Sequence, residues 1–401
     1  MLDLLQETLE RLIAQVDLSV KRSLYNTITI SRLVGLIGPR GVGKTTLMLQ
    51  YIKEHYYKEK KAFYFSADFV YFRQTTLLEF IDSLYKYEGY RIFFIDEIHQ
   101  YKNWSQELKN IYDAYPDIKI MFSGSSMLDL MEGSHDLSRR VHLYHLPGLS
   151  FREYLVFAKK LHFPPISFDL LVKEPKNFAE LGHIDQILQH FKTFLEVGYY
   201  PFLFEEPLSY HARITQIIKK IIFEDIPSHY DLKTANLHHF MKLLGYLASI
   251  PPGEVNINSI AQNLSLAHQT TEHYLHILES VGLIQLIYPF EGGGQYLRKP
   301  QKIFIHNTTL LNVLQAFVGT ELNKGTLREL FFLQSLRDAG QTVFYSKHGD
   351  YRVKDAVFEI GGKNKSDKQI VHSEFPGYIV KDDILQPSKK NIPLFYFGFL
   401  N

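Results

Sequence analysis

Residues 38–45 read Gly-Pro-Arg-Gly-Val-Gly-Lys-Thr, and this string constrains the fold more than any other part of the chain. It follows the apolar run Leu33–Ile37 and precedes a helix-like stretch, Thr46–Lys53. A strand, a glycine-rich loop and a helix in this order predict a phosphate-binding loop, because backbone N–H groups and the positive end of the helix dipole then face one anion. The residues predicted to contact a nucleotide are Gly38, Pro39, Arg40, Gly41, Val42, Gly43, Lys44, Thr45 and Thr46.

The roles within this loop follow from the chemistry of phosphates. Lys44 would reach the β- and γ-phosphates of ATP, and the Thr45 hydroxyl would bind Mg²⁺. The run Arg91–Glu97 supplies the matching second motif, since it is apolar and ends in two acids. Such a run predicts a parallel strand buried on both faces. Asp96 would hold the Mg²⁺, and Glu97 would polarise the attacking water.

A third strand, Lys119–Ser123, leads into Gly124-Ser125-Ser126. In nucleotide hydrolases with a catalytic glutamate, the strand between the two motif strands commonly ends in a polar residue that faces the γ-phosphate. Ser123 or Ser126 fits that place, and an ordinary turn remains the alternative for each.

Composition limits the remaining possibilities. The chain has 401 residues, enough for two or three domains, and a net charge of +1, so nothing global demands a polyanionic partner. The absence of cysteine excludes disulfides, a thiol nucleophile and cysteine-bound zinc. The first residues resemble no signal peptide, and no run of 18 apolar residues offers a membrane span. We therefore expect a cytoplasmic protein without a membrane partner.

Changes of hydrophobic period divide the chain into five parts. The predicted fold class is α/β, with the parallel sheet of a P-loop NTPase as its core. The predicted parts are an N-terminal helix (1–20), the ATPase core (21–148), a helical lid (149–236), a winged helix (237–305) and a small α/β domain (306–401) that resembles a restriction endonuclease.

The winged helix is predicted from three helical segments followed by a hairpin. The segments are Leu237–Ser249, Ile257–Leu264 and His268–Ser280, and the hairpin strands are Leu283–Tyr288 and Lys302–Ile305. The third helix of such a domain often reads DNA. Here it begins Ala-His-Gln-Thr-Thr-Glu-His-Tyr, without arginine or lysine, so a packing or regulatory role stands beside DNA binding.

A second constellation of charged residues lies in the last hundred residues. Glu329 on a predicted helix, Asp350 at a strand start and Glu359 on the next strand could bind one Mg²⁺, with Lys363 facing a phosphate. Nuclease strands of this kind usually carry Glu-x-Lys, whereas Ile-Gly-Gly separates Glu359 from Lys363. A degenerate, non-cleaving domain is therefore expected, with an active nuclease or an unrelated fold as alternatives. The apolar end Leu394–Leu400 is expected to pair as a strand.

Several strings together resemble the prokaryotic AAA-type ATPases that carry a C-terminal DUF4143 region. They are Gly38–Thr45, Phe93–His99, Asn103-Trp104, Ser123–Ser126, Leu137–Arg140, Leu149–Tyr154, Phe358–Lys365 and Ile392–Leu400. The resemblance implies an AAA+ core, a lid, a winged helix and a nuclease-like tail. It also gives Arg139 and Arg140 a possible role as arginine fingers, with a solvated surface as the alternative.

Three further residues have two interpretations each. His99 and Trp104 could couple the nucleotide state to a partner surface, although packing is the simpler role for Trp104. Asp68 could touch the metal shell or cap a helix.

The sequence leaves three functions open. The chain could hydrolyse ATP with Mg²⁺ and couple turnover to movement of the lid and winged helix. It could instead be a slow nucleotide-gated switch or scaffold, or an ATP-dependent nuclease. Glu97 favours hydrolysis. The possible partners beyond ATP are DNA and further copies of the chain.

Overall fold

The computed structural model describes residues 2–59, 61–124, 137, 139–253, 256–290, 300–321 and 323–400. The chain divides into two compact units, Met1–Pro147 and Gly148–Asn401. Each unit has its own sheet and core, and the two are described in turn.

The first unit is built on a five-stranded sheet in which every strand pair is parallel. Its strands are β1 (Leu33–Ile37), β2 (Ala62–Ser66), β3 (Ile92–Asp96), β4 (Lys119–Gly124) and β5 (His142–His145). They lie in the order β2-β3-β4-β1-β5. The predicted parallel sheet is therefore confirmed, and β4 lies between the strand before the glycine loop and the strand that ends in two acids.

Helices cover this sheet. They are α1 (Leu2–Gln15), α2 (Lys44–His55), α3 (Leu77–Ser83) and α4 (Trp104–Ala114). All five residues of β1 are buried, as expected for a strand with both faces covered. Because the strands are parallel, their carboxyl ends meet at one edge. The glycine loop, Asp96 and Ser123 follow or end β1, β3 and β4, so the sheet brings them together.

The second unit begins with helices. They are α5 (Phe151–Lys159), α6 (Phe168–Lys173), α7 (Ile187–Val197), α8 (Tyr210–Lys220), α9 (Ile226–His229), α10 (Thr234–Ser249), α11 (Ile257–Leu264), α12 (His268–Ser280), α13 (Thr308–Val318) and α14 (Lys324–Asp338). Helices α10, α11 and α12 are followed by the antiparallel strands β6 (Ile284–Ile287) and β7 (Lys302–Ile305). The three helices and two strands expected in this region are thus present.

Helix α13 is tied to the helices that precede it rather than to the sheet that follows. The Asn312 amide donates to the carbonyl of Glu196 at 2.9 Å. The Gln315 amide donates to the carbonyl of Ala248 at 3.0 Å. These bonds join α13 to α7 and α10, so the helical layer continues past the boundary predicted at residues 305/306.

The rest of the second unit is a mixed sheet. Its strands are β8 (Phe344–Tyr345), β9 (Tyr351–Val353), β10 (Ala356–Gly361), β11 (Gly377–Lys381) and β12 (Asn391–Pro393), in the order β12-β11-β10-β9-β8. Strand β9 is antiparallel to β8 and β10, whereas β11 and β12 run parallel to β10. Helix α14 covers one face, where Phe332 packs on Phe358 with ring centroids 5.3 Å apart.

The expected strand at Leu394–Leu400 was wrong, because Leu394–Phe399 form a 3₁₀ helix and the short strand β12 ends before it. All six residues of that helix are buried. Their rings point in different directions, so Phe395 meets Phe191, Phe397 meets Phe332, and Phe399 meets Phe151. A strand would send alternate side chains to only two faces, whereas a 3₁₀ turn distributes them around its axis.

Among the described residues, no helix combines the length and the apolar character that crossing a membrane requires.

Candidate functional site

The glycine loop between β1 and α2 has the backbone that its sequence predicts. Gly41 and Gly43 have φ angles of 80° and 94°, a region that side chains other than glycine rarely adopt. Gly43 directly precedes the first turn of α2. Lys44 is only 5% exposed, and its ammonium donates to the carbonyls of Gly38 and Pro39, each at 2.8 Å. A phosphate oxygen carries more charge than these carbonyls and is a stronger acceptor for the same ammonium.

Asp96 at the end of β3 is the centre of the site. Its carboxylate is 4% exposed and accepts hydrogen bonds from three hydroxyl groups. Thr45 Oγ1 donates to Oδ2 at 2.6 Å, and the Tyr64 hydroxyl donates to the same oxygen at 3.0 Å. Ser123 Oγ donates to Oδ1. The two residues predicted to bind Mg²⁺, Thr45 and Asp96, are therefore in direct contact.

Tyr64 keeps its proton in this environment. Burial and the negative charge of Asp96 raise the pKa of Tyr64, so its hydroxyl remains a donor throughout the neutral range.

Ser123 lies beside both acids rather than apart from them. Besides its bond to Asp96, its Oγ accepts the backbone N–H of Glu97 at 3.1 Å. The serine thus joins the carboxyl end of β4 to the turn after β3. Ser126, the alternative, lies outside the described residues.

Glu97 adopts a left-handed backbone, with φ 50° and ψ 41°. This strained geometry is uncommon for a residue with a long side chain and is often found at functional sites. Its Oε2 lies 3.4 Å from Arg40 Nη1 and 3.3 Å from His99 Nε2. Arg40 Nη2 is also 3.3 Å from His99 Nε2. The glutamate therefore contacts an arginine of the glycine loop and a buried histidine.

Two residues of the site were not found from the sequence. Arg22 is buried and donates to the carbonyl of Val42 at 2.6 Å and to that of Pro147 at 2.8 Å, so it supports the glycine loop from behind. Tyr64 is the other. An aromatic residue near the end of a buried strand is the only sequence signal for Tyr64, and no motif marks Arg22.

The two candidate finger residues lie where the parallel strands begin, at the opposite end of the strands from the glycine loop. Arg139 and Arg140 precede β5, whose His142 pairs with Val34 near the start of β1. A five-residue strand spans about 15 Å, so neither arginine is near its own glycine loop. Arg140 forms an ion pair with Asp113 at 3.1 Å, while Arg139 is exposed.

Asp68 and Trp104 have simple roles within the first unit. Asp68 is exposed and accepts the Ser66 hydroxyl at 2.6 Å. Trp104 is buried and packs on Phe122, with ring centroids 5.7 Å apart.

The predicted second metal site needs correction. Glu329 accepts the Lys302 ammonium at 2.7 Å, and Asp350 lies 3.8 Å from that nitrogen. Lys365, not Lys363, contacts the buried Glu359, at 2.5 Å. Burial raises the pKa of Glu359, and the Lys365 ammonium opposes this shift. In the described part of the chain, no group of three or more Asp, Glu or His residues is placed to hold a metal ion.

Lys365 contacts Glu359 in place of the predicted Lys363 because of the space next to Gly361. A Cβ atom added to Gly361, the residue at which a Glu-x-Lys strand would carry its lysine, would lie 2.6 Å from Lys365 Cγ. The stem of Lys365 fills that space, whereas Lys363 is exposed.

Comparison with known proteins agrees with this geometry. An AAA domain family (AAA_14) matches residues 31–155, and a domain of unknown function, DUF8612, matches residues 188–321. The second match is to a different family from the expected DUF4143. The fold and the site thus define a P-loop NTPase of the AAA+ type.

The chain belongs to the same family as the uncharacterized protein MJ1637 of Methanocaldococcus jannaschii. The two are 30% identical over 374 residues, which cover 85% of this chain and 78% of the relative. Similar solved structures include AMPPCP-bound DnaA from Aquifex aeolicus, at 17% identity over 69% of this chain and 86% of that one, with a TM-score of 0.27. The Hsp104-ADP complex of S. cerevisiae is 15% identical over 69% of this chain and 39% of that one, with a TM-score of 0.30. Scores this low carry no property of those proteins over to this chain.

Proposed function

We propose that this protein binds ATP with Mg²⁺ and hydrolyses it to ADP and phosphate. The observation that carries the proposal is the cluster around Asp96. There the hydroxyls of Thr45 and Ser123 meet the last residue of β3, and Glu97 follows one residue later. These are the groups that hydrolysis of a phosphoric anhydride requires, at one edge of one sheet.

Each group has a distinct task. Lys44 would bind the β- and γ-phosphates, since its ammonium already faces the inside of the glycine loop. Thr45 and Asp96 would hold the Mg²⁺, and their oxygens suit a hard cation. When bound, this ion neutralises charge on the phosphate oxygens. Glu97 would orient and deprotonate the attacking water, and Ser123 fixes the backbone of that glutamate.

The contact of Glu97 with Arg40 and His99 favours one alternative, a slow nucleotide-gated switch. A carboxylate that stays paired with an arginine is a weak base, because the cation stabilises its charged form. If the pair persisted with ATP bound, binding rather than turnover would be the output. A nuclease has no comparable support, since Lys302 and Lys365 contact the acids that would have to hold its metal.

Two variants separate these functions. Lys44→Ala should weaken ATP binding at least about tenfold, because an ion pair with phosphate is lost. Glu97→Gln should keep ATP affinity within a few-fold and lower turnover by roughly 10²-fold, the usual scale for a general base. Lys58→Ala, which removes an exposed cation just beyond α2, is the matched control and should change neither value.

The measurements are fluorescent-ATP titration and phosphate release. Unchanged affinity in Lys44→Ala would refute nucleotide binding at this loop. Wild-type phosphate release no greater than that of Glu97→Gln would establish the switch in place of the ATPase.

We also propose that ATP hydrolysis drives movement of two parts of the second unit. Residues 149–236 as a lid and 237–305 as a winged helix would change position with the nucleotide state, in a cytoplasmic protein. The family resemblance is what supports this extension.

A further inference from the structure

A pocket of about 530 Å³ opens beside the mixed sheet of the second unit, far along the chain from the glycine loop. Three chain segments provide most of its lining: 289–290 after β6, 345–352 from β8 to β9, and 372–375 before β11. Gln301 before β7 and Val357 of β10 complete it. The size lies within the range of small-ligand sites. The backbone joins two of these walls, since Phe290 N–H donates to the carbonyl of Tyr345 at 3.4 Å.

Arg352 is the most unusual residue of this pocket. Its guanidinium lies between two aromatic rings, 3.6 Å from the centroid of Phe290 and 3.7 Å from that of Phe375. The side chain is 13% exposed and donates through Nε to the carbonyl of Lys354 at 2.9 Å. The two rings and this bond fix the guanidinium in one orientation, so little entropy remains to be lost on binding.

The charge of Arg352 is poorly compensated. The acid paired with it, Asp355, lies 3.7 Å away, and the Asp355 side chain is 92% exposed. That distance exceeds a hydrogen bond, and water screens the carboxylate. A rigid, partly buried guanidinium with an exposed partner is a strong site for an anion, because its parallel N–H groups match two oxygens of a phosphate.

The other lining residues indicate which chemical class of ligand suits the pocket. Lys347, His348 and His372 add donors, and one acid, Glu374, opposes them. Arg352 covers one face each of Phe290 and Phe375, while Phe290 remains 44% exposed and Tyr345 also lines the pocket. These rings supply flat apolar surface of the kind on which nucleobases stack. Cations and rings in one pocket of this size suit a phosphate attached to an aromatic base.

We propose that this pocket binds a nucleoside phosphate unit, either as a free mononucleotide or as the 5′-phosphorylated end of a single strand. Arg352 and Lys347 contact the phosphate, and the aromatic wall contacts the base. This site is separate from the glycine loop and does not depend on the ATPase activity proposed above.

The test uses the full chain carrying Lys44→Ala, which should weaken nucleotide binding at the glycine loop and so limit its contribution to the measurement. Fluorescence anisotropy compares a short labelled single strand with a 5′-phosphate against the same strand with a 5′-hydroxyl. Thymidine monophosphate and inorganic phosphate serve as competitors. We expect the phosphorylated strand to bind at least about tenfold more tightly, the effect of one charge-assisted contact.

Substitutions locate the binding. Lys347→Ala combined with His372→Ala changes two exposed residues of the pocket and should weaken binding of the phosphorylated strand at least about tenfold. Arg352→Gln should weaken binding of the phosphorylated strand to a similar degree. If Arg352→Gln fails to fold, the double variant of Lys347 and His372 still tests the proposal. Lys363→Ala combined with Lys368→Ala removes two exposed cations outside the pocket and is the matched control.

Competition by thymidine monophosphate as strong as by the strand would identify the free mononucleotide as the ligand, and weaker competition would identify the strand end. Equal binding of phosphorylated and hydroxyl strands would overturn the proposal. So would equal losses in the pocket double variant and the control double variant.

Discussion

At the scale of single residues, Ser123 forms hydrogen bonds with both Asp96 and Glu97 and so fixes their relative position. It donates to Asp96 and accepts the backbone N–H of Glu97, a residue with a left-handed backbone. A residue that fixes the geometry of a base affects turnover more than binding, because the substrate's phosphates are held by the glycine loop.

We therefore expect Ser123→Ala to lower kcat about 10-fold to 100-fold while the affinity for ATP stays within a few-fold. Ser66→Ala is the matched control, since Ser66 also ends a strand at this edge but bonds only to the exposed Asp68 among the contacts described for its hydroxyl. Phosphate release and ATP titration measure the two quantities. An unchanged kcat, or an equal loss in both variants, would show that Ser123 does not position Glu97.

At the scale of elements, charges next to the mixed sheet of the second unit neutralise each other. The hydroxyl of Tyr351 in β9 and the ammonium of Lys302 in β7 both contact Glu329 of α14. Lys302 also lies near Asp350 at the start of β9. One ammonium thus links the hairpin β6–β7 to the helix and the sheet, in a place where nuclease-like reasoning expected a metal ion.

Loss of that ammonium should be costly. Lys302→Met leaves two partly buried carboxylates without their cation, and we expect a destabilisation of about 3 kcal/mol. For a unit of this size that corresponds to a fall in Tm of roughly 6–12 °C. Lys354→Met is the control, since the pair of Lys354 with Asp169 is half-exposed on both sides and should contribute less than about 1 kcal/mol.

Calorimetry and the fluorescence of Trp104 distinguish the units in this experiment. Trp104 is the one tryptophan of the sequence and lies in the first unit, so its transition should not move. Equal shifts of Tm in Lys302→Met and Lys354→Met would show that the buried ion pairs of Lys302 stabilise the unit no more than the exposed pair of Lys354.

Much of the first unit is predictable from the sequence, whereas several contacts are not. The expected strands at Leu33–Ile37, Arg91–Glu97 and Lys119–Ser123 match the observed bounds to within one residue, because each is a short apolar run between clear turns. Arg22 and Lys365 were missed because their roles depend on which backbone comes near them in three dimensions. The 3₁₀ helix at Leu394–Phe399 was missed because an apolar run alone does not specify its period.

At the scale of the whole molecule, the sheet of the first unit separates the glycine loop from Arg139 and Arg140. An arginine at the far edge can assist hydrolysis only in another copy of the chain. Arg139 is the better placed of the two, because it is exposed while Arg140 pairs with Asp113.

If the chain assembles in this way, turnover per chain should rise with protein concentration. Arg139→Ala should abolish the rise, a loss of about 10³-fold at saturation if it acts as a finger, and should leave ATP affinity unchanged. Lys119→Ala, an exposed cation at the same sheet edge, is the control and should retain the rise. If turnover is independent of concentration and the protein sediments as a monomer, Arg139 is a solvated surface residue and not an arginine finger.

The buried turn Leu394–Phe399 also bears on the order in which the protein is made. Phe399 packs edge-to-face on Phe151 at 5.8 Å, so the core of the second unit joins residues from near its first position to near its last. A ribosome must release nearly all of that unit before its aromatic core can close. The sheet β1–β5 is complete by residue 145, so the nucleotide site can form while the remaining chain is still being synthesised. A chain that stopped short of Leu394 would have a complete phosphate loop in its first unit and an incomplete, aggregation-prone aromatic core in its second.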